Sequence, residues 1–309
     1  MSISNIRIAT RESPLAIWQA EHVRSQLIKQ HPGLSVELVA MTTQGDRMLD
    51  RPLSVAGGKG LFIKELEQSL LDGSADIAVH SMKDVTIDLP DGLELPVILK
   101  RADPRDVFIS NYYQSLDELP EGSSIGTSSL RRQCQLRACR PDLKLLDLRG
   151  NVGTRLRKLD ENQFDAIVLA AAGITRLGFE KRICEFLEPE VMLAAIGQGA
   201  IGIETRANDQ LVQNFIKPLD DRFTKIQLIA ERAFSKRLYG GCQLPIAAYA
   251  QITGEQLVIR GLVGSPDGKI IITGEVNGLT EHAGALGLQL AEKLLNKGAD
   301  AILRDLING

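Results

Sequence analysis

The chain has 309 residues, too many for one hydrophobic core, so two or three domains are expected. With 44% apolar residues, 24% charged residues and a net charge of -3, it reads as an ordinary globular protein and not as a bulk nucleic-acid binder. Cys134, Cys139, Cys184 and Cys242 form no C-x-x-C pair and the four histidines are scattered, which speaks against a disulfide framework and a metal centre.

Met1 to Thr10 shows no apolar stretch behind a basic start, and no run of about 18 apolar residues occurs, so no membrane span and a cytoplasmic location are expected. Asn5 to Thr10 alternates as a short strand. Ser13-Pro14 starts a helix, with a capping hydroxyl and a proline in the first turn. Ala16, Ala20, Val23 and Leu27 mark its apolar face, and Leu34 to Thr42 is a second strand, completing a βαβ unit. Pro52 to Gly60 is a Gly-rich loop carrying Lys59, suited to a place near a ligand. Leu61 to Leu71 is a helix. Ala75 to Val79 is a buried strand running into His80-Ser81-Met82-Lys83-Asp84, at the strand end where open α/β sheets bind ligands.

A second βα run begins near Pro104, with strands at 107–109, 123–127 and 143–148. Ser128 can cap a helix bearing Arg131 and Arg132, and Phe164 to Ala172 reads as a central parallel strand. Ile201 to Glu204 is one more strand, which by returning to the first sheet would make the first domain discontinuous. Asp221 can cap a helix with Ile226, Ile229, Ala230 and Ala233 on its apolar face. An antiparallel meander (247–252, 256–263, 269–276) and a last helix (281–296) make a small α+β domain. The expected domains are 1–100 with 198–218, then 101–197, then 219–309.

Between Gly126 and Lys158 stand nine basic residues against Asp142 and Asp147. The bias toward Arg favours bidentate recognition of carboxylate or phosphate. Arg131 and Arg132 sit at a helix start, where backbone N–H groups also favour anions. Arg149 and Arg155 flank the next strand end and Arg176 follows the one after, so three strand ends present Arg toward one sheet edge. No Phe, Tyr or Trp lies in this stretch, which disfavours RNA, and no phosphate-binding Gly motif argues for a nucleotide. A small polycarboxylate fits. Asp84 is an anion among these cations, suited to stabilising a cation that forms on the ligand or to moving a proton.

The turn Tyr239-Gly240-Gly241-Cys242-Gln243-Leu244-Pro245 frees the backbone before the thiol and bars a helix after it, displaying Cys242. A buried structural thiol is the alternative. A cysteine hydrolase would need a histidine, and His80 is the candidate; a solute-binding protein would have no use for this turn.

Arg11-Glu12-Ser13-Pro14-Leu15-Ala16, Gly58-Lys59-Gly60-Leu61-Phe62, His80 to Asp84, Ile125 to Arg132 and Leu148 to Val152 resemble blocks of the porphobilinogen deaminase (hydroxymethylbilane synthase) family. Glu231-Arg232 followed by Gly240 to Ile246 resembles its cofactor-attachment signature, with Tyr239 and Leu244 as mild departures. The resemblance implies an α/β fold of two periplasmic-binding-protein-like (type II) domains around a cleft, plus a small α+β domain with a three-stranded antiparallel sheet. It implies a transferase of porphyrin, heme and tetrapyrrole biosynthesis, with a dipyrromethane cofactor on Cys242 through a thioether. Four porphobilinogen molecules would be joined head to tail with loss of ammonia, and the linear tetrapyrrole released by hydrolysis. Asp84 would be catalytic. Arg11, Ser13, Lys83, Ser129, Arg131, Arg132, Arg149, Arg155 and Arg176 would bind carboxylates, with Ser81, Thr127 and Lys59 as weaker candidates. A monomer is expected, handing its product to a cyclising synthase.

Overall fold

The computed structural model describes residues 3–47, 60–239 and 244–308, in two compact units, Met1–Ala102 with Ala200–Lys225 and Asp103–Gly199 with Ile226–Gly309. The chain opens with β1 (Asn5–Arg11), α1 (Pro14–Gln30), β2 (Ser35–Met41), the short α2 (Gln44–Arg47), α3 (Lys64–Leu71), β3 (Ile77–Ser81) and β4 (Leu93–Ile98). The stripe expected on α1 is the buried one: Ala16, Ala20, Val23 and Leu27 are buried, and Ser13 Oγ accepts from Ala16 N at 3.4 Å. The strand expected at 75–79 is shifted to Ile77–Ser81, because β3 continues into the HSMKD block.

The chain continues with β5 (Asp106–Ser110), β6 (Ser124–Gly126), α4 (Leu130–Cys139), β7 (Lys144–Leu146), α5 (Val152–Asp160), β8 (Ala166–Ala170), α6 (Ala171–Arg176) and β9 (Glu185–Leu187). These strands form one mixed sheet in the order β7-β6-β8-β5-β9. The long apolar run 164–172 divides: only its middle is strand, Phe164 packs in the core, and helix begins at Ala171. β8 is central and parallel to β6, but antiparallel to β5.

Next come β10 (Ile201–Arg206) and α7 (Gln210–Ile216). β10 enters the first sheet between β3 and β4, antiparallel to both, giving the order β2-β1-β3-β10-β4. Its Ile201 and Ile203 join Ile6, Ile8, Ile77 and Val79 in one apolar cluster.

The remaining elements are α8 (Arg222–Arg237), β11 (Ile246–Thr253), β12 (Gln256–Gly264), β13 (Ile271–Leu279), α9 (Ala283–Leu294) and α10 (Asp300–Asn308). Asp221 Oδ1 accepts from Thr224 N at 2.8 Å, the expected cap. Ala230 and Phe234 of α8, with Leu238 just after it, face the core; Ile229, assigned to that face from the sequence, is 48% exposed because the contact repeats every four residues from Ala230. The three strands form an antiparallel sheet in chain order with α9 packed on it. Lys293 and Lys297, one helical turn apart, donate to the carbonyls of Glu275 and Thr273 on β13, each at 2.9 Å. Glu231 Oε1 accepts from Ala250 N on β11 at 3.0 Å. Among the described residues no helix is long and apolar enough to cross a membrane.

Candidate active site

In the first unit, Asp84 closes a 3-10 turn, Met82–Asp84, directly after β3. Met82 N donates to Ala200 O at 3.0 Å, and the Met82 side chain is 2% exposed. It occupies the space over Gly202 of β10, where any Cβ would collide with its sulfur. The turn is therefore held from beneath by the strand that returns late in the chain, and only glycine allows that contact.

Arg11, at the end of β1, pairs with Asp46 through Nε at 3.0 Å and through Nη2, and lies 4.4 Å over the Phe62 ring. Burial pushes the Asp46 carboxyl up, but bonds from Arg11 and Thr43 outweigh it and leave the pKa below its ordinary value. Arg11, Ser13, His80, Ser81 and Asp84 line one small pocket with Phe62. Four of the site residues named from the sequence, Arg11, Ser13, Ser81 and Asp84, are thus brought together from two separate stretches, and Lys83 sits half-buried beside Asp84. Neither Asp46 nor Phe62 was singled out from the sequence.

In the second unit, β7, β6 and β8 are adjacent and parallel, so their C-terminal ends share one sheet edge. After β6, Thr127 N donates to Leu146 O at 2.8 Å, and Thr127 Oγ1 accepts from Ser129 N at 3.3 Å. Ser129 is the N-cap residue of α4 but its hydroxyl does not cap the helix. After β7, Gly150 adopts φ +111°, Asn151 Oδ1 accepts from Thr154 N at 2.9 Å, and Arg155 Nε donates to Gly150 O at 2.7 Å. Arg149 and Arg155 are half-buried at this edge. After β8, α6 ends in Arg176, whose Nη2 donates to Gly199 O at 2.7 Å. Burial lowers the Arg176 pKa to about 10, so it remains a cation at neutral pH.

Arg131 and Arg132 are not exposed at the helix start; they are 5% and 6% exposed. Both turn onto Asp106, which is fully buried at the start of β5. Arg131 Nη2 is 2.8 Å from Asp106 Oδ2, and Arg132 reaches Oδ1 through Nη2 at 2.7 Å and Nε at 3.2 Å. Arg131 Nη1 also donates to Leu193 O, Arg132 Nη1 to Val168 O, and Gln198 Nε2 to Asp106 Oδ1. Burial alone would raise Asp106; the two guanidiniums overturn this and hold it at about 2. Other members of the basic stretch also have partners within the protein: Arg137 donates to Pro266 O, Arg140 pairs with Asp142, and Arg157 with Glu161. Sequence reasoning missed Asp106. Its one signal was an acidic residue opening the otherwise apolar strand Val107-Phe108-Ile109, a charge that must find cations once buried. Lys59 and Cys242 lie outside the described residues.

Two family models match the chain: "Porphobilinogen deaminase, dipyromethane cofactor binding domain" over residues 6–214, and "Porphobilinogen deaminase, C-terminal domain" over residues 225–296. Among solved structures, the methionine binding protein MetQ is similar at 16% identity and TM-score 0.46, covering 70% of this chain and 89% of its own. Immunogenic lipoprotein A from Vibrio vulnificus is similar at 14% identity and TM-score 0.44, covering 71% of this chain and 96% of its own.

Proposed function

The chain belongs to the porphobilinogen deaminase family, and on that premise we propose that it joins four porphobilinogen molecules head to tail, releasing ammonia at each step, and frees the linear tetrapyrrole hydroxymethylbilane by hydrolysis. The matched first domain is the one that binds the dipyrromethane cofactor. When bound, this group supplies the free α-carbon to which the first unit is joined. The donor set fits it: a polycarboxylate suits the half-buried Arg149 and Arg155 and the Ser129 hydroxyl at one sheet edge, with the α4 and α5 helix starts. Arg131 and Arg132 would back this edge as a doubly cationic pair only half neutralised by Asp106. We assign the covalent thioether to Cys242 and read the third sheet with its helices as a domain of its own.

The observation that carries the reading is the pocket holding Asp84 beside Arg11, Ser13 and Ser81. Porphobilinogen bears acetate and propionate groups, for which Arg11, Ser13, Ser81 and Lys83 are the ligands we propose. Loss of ammonia leaves an azafulvene-type cation, and attack by a pyrrole α-carbon again puts positive charge on pyrrole nitrogen. The Asp84 carboxylate would accept those N–H groups and stabilise that charge. Arg176 is assigned to later rings, as the growing chain adds two carboxylates per unit. Intact-mass spectrometry tests the primer: the purified chain should exceed its sequence mass by two pyrrole units, and Cys242→Ala should not. A fully active chain at bare sequence mass would refute it.

A further inference from the structure

His80 has no part in the roles above, yet it lines the Asp84 pocket while only 4% exposed. Its Nε2 lies 2.8 Å from Glu204 Oε2 on β10, and both side chains are buried. A carboxylate oxygen accepts, so Nε2 carries the proton in this contact. Nδ1 has no hydrogen-bond partner among the described residues. A buried carboxylate that fixes one nitrogen of an imidazole leaves the other oriented to exchange protons, the arrangement that makes histidine an effective base. Behind the pair, Glu67 on α3 is buried. Burial first, then the charge of Glu204, push its carboxyl up, against smaller opposing effects of His80 and Lys64.

We propose that His80 is a second catalytic group, the base that takes the α-proton as two pyrroles are joined, with Glu204 as its positioning residue; this rests on the synthase reading above. The C–C bond forms between the free α-carbon of the terminal ring and the methylene of the deaminated substrate. The α C–H bond then breaks, and its electron pair restores the aromatic ring. The proton moves to His80 Nδ1 and on to the ammonia released in the same cycle, returning His80 to the neutral form. Asp84 keeps its charge throughout, available to the pyrrole N–H groups.

Two measurements test this. Nitrogen NMR of the full chain with labelled histidine, at a pH where the rings are neutral, should show His80 protonated at Nε2 and bare at Nδ1. The opposite tautomer overturns the proposal whatever the turnover. In kinetics, His80→Asn should lower turnover by about 10²-fold or more. Porphobilinogen deuterated at its free α-carbon should slow the variant more than the parent, because loss of that proton has become limiting. Glu204→Gln, which keeps an oxygen for Nε2–H, should lose less and raise the same isotope effect; it carries the test if His80→Asn does not fold. Turnover within a few-fold of the parent, with an unchanged isotope effect, overturns the role of His80 and leaves the synthase reading standing. A parent chain that makes no tetrapyrrole overturns both.

Discussion

Asp106→Asn isolates what holds the two arginines of α4. The substitution keeps the shape and one oxygen but removes the one negative charge that Arg131 and Arg132 meet among the described residues. The folded protein lowers the Asp106 pKa from 3.8 to about 2, close to two units. At about 1.4 kcal/mol per unit, ionised Asp106 contributes roughly 2–3 kcal/mol net of its burial. Its loss also strands two buried cations, which raises the expected cost to about 3–5 kcal/mol. The folded pKa is depressed, so the stabilisation is fully present above the unfolded value near 4 and is lost as pH falls through about 2. Urea unfolding followed by circular dichroism should therefore give a constant gap between parent and variant from pH 8 to 5. By pH 3 the gap should narrow by roughly 1 kcal/mol. A gap under about 1 kcal/mol at pH 7, or one that widens in acid, would refute the account of Asp106 as the counterion.

Asp84→Asn should keep the bound primer, seen by intact mass, and lose turnover by about 10²–10⁴-fold; turnover within a few-fold of the parent would remove Asp84 from the chemistry. Gly202→Ala should displace Met82 and with it the Asp84 turn, destabilising by about 1–3 kcal/mol and slowing turnover by up to about 10²-fold. Normal steady-state turnover in that variant would show that β10 does not set the position of Asp84.

The sheets, the α1 stripe and the meander were legible because each is a local pattern: period two, period 3.6, or a Gly-marked turn. β9 was missed because three residues carry no periodicity, and β4, α7 and α10 because Leu93–Ile98 holds a proline and the two helices are short. Arg11, Ser13, Ser81 and Asp84, which line one pocket, were singled out from the sequence because each stands at or just past a strand end or at a helix start. The sequence did not show what each side chain meets. Asp106 is 26 positions from Arg132, so the charge excess of 126–158 looked open to a ligand when part of it is neutralised from outside the stretch, and Glu204 is 124 positions from the His80 it meets. Long-range pairing of charges leaves no periodic trace in a chain.

The three-stranded sheet ends in two open strands, and each open strand is met by a side chain of the opposite need. On β13 the ammonium groups of Lys293 and Lys297 take two outward carbonyls; on β11 the Glu231 carboxylate takes an outward N–H. A strand from another copy could lengthen this sheet along β13 only by stripping two charge-assisted bonds and leaving two cations under its own backbone. Along β11 it would have to displace a fully buried carboxylate. Growth of the sheet is thus opposed by chemistry at both margins, by paired lysines on β13 and by a buried carboxylate on β11, which guards the antiparallel sheet against templating its own aggregation.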